Sequence, residues 1–60
     1  MKFLIKKLNG TGVEVEPKDP ADEQSLLNYK FVATGLQFTD INDKPRNFNG
    51  ANIDEIELLD

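Results

Sequence analysis

Sixty residues, 38% apolar and 30% charged with a net charge of −4, suffice for one small domain spanning 1–60 and too little core for more. With no cysteine and no histidine, disulfide staples, zinc sites and Ser–His or Cys–His nucleophilic pairs are excluded, and no apolar run reaches the length of an export signal or a membrane span. These exclusions predict a non-enzymatic, cytoplasmic chain without cofactors, too short to enclose a full-sized pocket beside its core.

Residues 2–8, Lys-Phe-Leu-Ile-Lys-Lys-Leu, are rich in apolar and β-favouring types and read as a strand. Asn9-Gly10-Thr11-Gly12 follows. It matches a glycosylation triplet, but Asn-Gly between apolar runs is foremost a hairpin signal. Val13-Glu14-Val15-Glu16 alternates with period two, so the valines should face inward and the glutamates water. The first firm element is therefore an N-terminal hairpin of 2–8 with 12–16.

Pro17 and Pro20 interrupt the sheet pattern. Asp19 is placed to accept from the free amides of a following helix, Pro20 suits its first position, and Asp22 and Glu23 sit at the positive end of its dipole. A short helix over about 20–28 is predicted. Extending it to Thr34 would make 26–33 apolar nearly all round, which so small a domain could not cover. The preferred reading is a strand over about 29–40, with Gly35 as a bulge or bend.

Leu36 and Phe38 alternate, Asn42-Asp43 can turn the chain, and 44–48 returns. Pro45 cannot donate to a ladder, so the return is an edge strand or a loop. Asn49-Gly50 is a further turn. Residues 52–59 fit two states: a short helix opened by an Asn52/Glu55 capping box, or a strand, which the β-branched isoleucines favour. The fold class is thus α+β and β-rich, with four or five short antiparallel strands and one short helix.

Charge is distributed unevenly. Three lysines and no acid occupy the first seven residues, while Asp54, Glu55, Glu57 and Asp60 occupy the last seven without a base. Opposite charges on neighbouring strands are favourable, so the C-terminal segment is expected beside the N-terminal strand. Glu14, Glu16, Asp54, Glu55 and Glu57 would then form an acidic surface able to engage a basic partner. Asp40-Ile41-Asn42-Asp43 opens like a calcium loop but fails at Lys44, Pro45 and Ala51, and reads as a turn.

Phe48 stands among Arg46, Asn47, Asn49 and Gly50. A lone aromatic in a polar segment either staples that segment to the body or anchors a partner. If the chain has a contact surface, Lys44, Arg46, Asn47 and Phe48 are its candidates. The leading functional expectation is a protein-binding or regulatory module, with a homodimer formed through an exposed strand edge as one form of contact. A small barrel-like single-strand nucleic-acid binder is the alternative. It would use Lys2, Lys6, Lys30, Lys44 and Arg46 with Phe31, Phe38 and Phe48, against an adverse net charge. A structural subunit of a larger assembly is a third. An acidic, motif-free chain opening on Met also has the style of accessory proteins encoded by phages and mobile elements.

Overall fold

A computed structural model describes residues 1–28 and 35–60. The elements run β1 (Phe3–Lys7), β2 (Gly12–Val15), α1 (Pro20–Leu27), β3 (Leu36–Thr39), β4 (Pro45–Phe48), a 3-10 turn (Gly50–Asn52) and β5 (Ile53–Leu58). The choice between strand and helix for 29–34, together with Tyr29, Lys30 and Phe31, lies outside the described residues.

Two antiparallel sheets form, one of order β2-β1-β5 and one pairing β3 with β4. The expected N-terminal hairpin and the C-terminal strand beside it are both present. The charge argument holds at Lys6, whose Nζ lies 3.3 Å from Glu55 and 3.2 Å from Glu57. The sheets meet at a bridge between Pro17 and Asp40, where the Lys18 amide donates to Thr39 at 3.0 Å and the Ile41 amide to Glu16 at 3.0 Å.

Alternation decides what goes inside. Phe3 and Ile5 of β1 and Val15 of β2 face inward, as do Leu36, Phe38 and Phe48 of the second hairpin. With Leu26 and Ile53 they make one buried cluster. Val13 and Ile56 pack at its margin. Leu4, Lys6, Glu14, Glu55 and Glu57 take the opposite face of the first sheet, since Leu4 pairs with Glu14 and Glu57 and Lys6 with Glu55. Helix α1 starts as expected: Asp19 accepts from the Ala21 amide at 2.9 Å, Pro20 takes the first position, and Asp22 and Glu23 fill the first turn.

Both hairpins use the same three-residue loop. In the first, the Lys7 amide donates to Thr11 and the Gly10 amide to Lys7, with Gly10 at φ 88°. In the second, the Asp40 amide donates to Lys44 and the Asp43 amide to Asp40, with Asp43 at φ 60°. The third loop position is left-handed in each, the usual geometry of a three-residue hairpin connection. This shortens the expected first strand: β1 ends at Lys7, and Leu8 belongs to the loop, 63% exposed. The bulge or bend expected at Gly35 turns on 29–34 and so lies outside the described residues, while from Leu36 onward the β3–β4 register runs without irregularity. An irregularity falls between β1 and β5 at Lys6/Lys7, where Lys7 pairs with Ile53 and Asp54 is the extra residue.

Candidate functional site

Between the end of β1 and the end of β4 lies an open cleft of about 570 Å³, lined by Lys7, Leu8, Asn9, Asn47, Phe48, Asn49, Asn52 and Ile53. Three local features assemble it. The tight first loop turns Leu8 and Asn9 outward, and the Leu8 amide donates to the Asn52 carbonyl at 3.0 Å. Asn49 caps the 3-10 turn by accepting from the Ala51 amide at 3.0 Å. That turn delivers Ile53 to its place opposite Lys7.

Lys7 is the unusual member. Phe3, Ile5 and Lys7 share one face of β1 by alternation, so Lys7 occupies a core-facing position at the strand's end. Its stem is half-buried and its ammonium reaches over the Phe48 ring, 5.8 Å from the centroid. Lysine commonly covers apolar surface with its stem while keeping the charge in water. Lys6, one residue earlier, holds two glutamates, whereas among the described residues no carboxylate lies within ion-pair distance of Lys7. None of the cleft's described lining residues is acidic, in a chain that carries eleven acids.

Among the described residues, no strand pairs with the edge beside the cleft. The Asp40–Lys44 pair is hydrogen-bonded. With two-residue periodicity along an antiparallel ladder, Phe38–Arg46 and Leu36–Phe48 are then bonded pairs, while Gln37–Asn47 and Thr39–Pro45 are not. The backbone N–H and C=O of Asn47 therefore point away from β3, on the side of β4 where no strand pairs among the described residues. Pro45 occupies the equivalent position two residues earlier, where its missing N–H costs the ladder nothing.

The residues singled out from the sequence separate. Asn47 and Phe48 line the cleft. Phe48 is only 8% exposed and stacks on Phe38 with centroids 6.3 Å apart and planes at 22°, so its ring is a staple of the core and not a protruding anchor. Arg46 lies on the core-facing side, its guanidinium carbon 5.7 Å from the Phe48 centroid and its Nη1 3.8 Å from Asp40 Oδ2. Lys44 is exposed at the distal loop and lies outside the cleft. Asp40 itself is buried, its Oδ1 accepting from the amides of Asn42 at 2.9 Å and Lys44 at 3.0 Å.

Of the five acids, Glu14, Glu55 and Glu57 share the outer face of the first sheet. β1 lies between β2 and β5, so Glu14 and Glu57 flank Leu4 about 10 Å apart by strand spacing. Glu55 and Glu57 are drawn onto Lys6, and those two carboxylates, Glu57 first, raise the Lys6 pKa above its ordinary value. In the sequence Lys7 is one lysine of the basic N-terminal segment. The alternation fixed by Phe3 and Ile5 was the signal that assigns it to the inner face.

No family model, no curated protein and no solved structure matches this chain.

Proposed function

We propose that this chain is a small non-catalytic module that contacts another protein through the cleft beside Lys7 and Asn47. The observation that carries this reading is the coincidence, at one place and among the described residues, of a lysine without a carboxylate partner, an unpaired strand edge and an exposed leucine, with no acid in the lining. Among the described lining residues Lys7 is the single ionisable side chain, which supplies neither a nucleophile with its base nor an acid–base pair. Nucleic-acid binding is the weaker reading. The Phe38 and Phe48 rings are buried and unavailable for stacking on bases, and Arg46 is turned to Asp40.

Self-pairing through the free edge of β5 is opposed by charge. Antiparallel registers centred on residues 55, 56 or 57 that keep both cores on one side set Glu55 or Glu57 opposite an acid of the second copy, and like charges directly opposed are unfavourable.

Selection of short random peptides on the immobilised protein, followed by amide NMR mapping of those recovered, tests the proposal. Shifts are expected at residues 7–9, 47–49 and 52–53. Peptides that perturb other residues instead, or salt-sensitive shifts with a mixed single-stranded oligonucleotide and none with peptides, would overturn it.

A further inference from the structure

We infer that the occupant of this cleft is an extended peptide segment carrying an acidic side chain, which adds to the open edge of β4 at Asn47 and sets its carboxylate against Lys7; this rests on reading the cleft as a contact surface. An unpaired strand edge presents a donor and an acceptor at the spacing an extended chain requires. Here the offer is short, because Pro45 removes the donor two residues before Asn47. The edge therefore offers one complete donor–acceptor pair, at Asn47, beside the lone carbonyl of Pro45, and recognition needs a side-chain contact close by. The charge nearest that edge within the lining is the ammonium of Lys7, held over Phe48. Leu8, tied by its amide to Asn52, offers apolar surface at the rim for a neighbouring side chain.

The outer edges of β5 and β4 differ in the way this occupant demands. The six residues of β5 carry Asp54, Glu55 and Glu57, a charge pattern that turns acidic strands away. β4 and the residue after it, Pro-Arg-Asn-Phe-Asn, carry no acid. An acidic strand is thus disfavoured at the β5 edge and accepted at the β4 edge.

The test uses three peptide pools that share one apolar background and differ at a single position: Asp/Glu, Asn/Gln or Lys/Arg. Affinity is read by amide shifts at the cleft. The acidic pool is expected to bind about tenfold more tightly than the amide pool, and the basic pool to bind least. Lys7→Gln should erase the difference between acidic and amide pools, and Lys7→Glu should reverse the order of acidic and basic. Asn47→Pro removes the outward N–H while leaving the β3 pairing intact, so it should lose binding about tenfold, whereas Asn47→Ala should bind as the wild type does. An N-methylated copy of the acidic peptide removes the companion bond, in which the peptide N–H donates to the Asn47 carbonyl, without altering the protein, and is expected to lose about as much binding as Asn47→Pro does.

Equal binding of acidic and amide pools at the cleft would overturn the carboxylate assignment and leave the contact surface standing. Full binding of the N-methylated peptide would overturn strand addition. Absence of cleft shifts with every pool would overturn both this inference and the contact surface beneath it. Cleft shifts that appear on concentrating the protein alone would make the occupant a second copy, and so refute the inference.

Discussion

Replacing Phe48 by alanine discriminates sharply between a core residue and a surface anchor. The ring is 8% exposed, stacks on Phe38, and carries the Lys7 and Arg46 cations at 5.8 and 5.7 Å. Truncating a buried phenylalanine costs about 3–5 kcal/mol in transfer and cavity terms. Part of that cost is the aromatic pair, about 0.5–1.5 kcal/mol, with each cation contact adding roughly 0.5–1 kcal/mol. A 60-residue chain at 0.05–0.15 kcal/mol per residue holds only about 3–9 kcal/mol in total. Phe48→Ala is therefore expected to remove most of the stability and leave a large unfolded population at 25 °C. Phe48→Leu keeps much of the apolar volume but loses the ring, and should cost about 1–2.5 kcal/mol. Urea unfolding followed by far-ultraviolet circular dichroism measures both. A loss below about 1 kcal/mol for the alanine variant would refute the placement of this ring in the core.

Other substitutions probe the turns, the buried acid and the charge pattern. Gly10→Ala puts a Cβ on a backbone at φ 88° and should destabilise by about 1 kcal/mol, while Gly12→Ala meets only the flexible tip of Leu4 at 3.0 Å and should be neutral or stabilising by up to about 1 kcal/mol; melting curves separate the two. Asp43→Gly relieves a left-handed aspartate at φ 60° at the expense of its exposed ion pair with Lys18, and its melting temperature should rise. Asp40→Ala leaves the buried acceptor site for two amides unfilled and should cost about 1–3 kcal/mol. Asp40→Asn retains an acceptor there, so urea unfolding should show the smaller loss. Lys6 has a folded pKa raised by Glu57 and Glu55, so its contribution is complete below the unfolded pKa of about 10.4 and disappears as pH climbs through the folded value. The difference in urea midpoint between wild type and Lys6→Gln should shrink over that alkaline window and stay constant at neutral pH. Neutralising the β5 edge with Glu55→Gln and Glu57→Gln removes its like-charge guard and should raise the weight-average mass in sedimentation equilibrium.

Local chemistry was legible in the chain itself. Asn9-Gly10 announced the first hairpin, Asp19-Pro20 with Asp22 and Glu23 announced the helix start, and Pro45 limited the return segment to an edge strand or a loop, of which the structure shows the edge strand. The lysine-rich beginning and acid-rich end even announced which strands would be neighbours. Each of these signals acts within a few residues or through the sign of a charge, so it survives in one dimension. What required the tertiary structure was everything set by phase and by long-range register. Lys7 became a core-side cation because Phe3 and Ile5 fix the phase of β1 and Ile53 arrives opposite it after a bulge. Phe48, polar in its sequence surroundings, became buried because β4 pairs with β3 in a register that sets it opposite Leu36. The acids of β2 and β5 came to share one face, set apart because β1 runs between them. The cleft draws on residues more than forty positions apart in the sequence; its existence depends on how the ends of two sheets meet, and no local propensity encodes that distance.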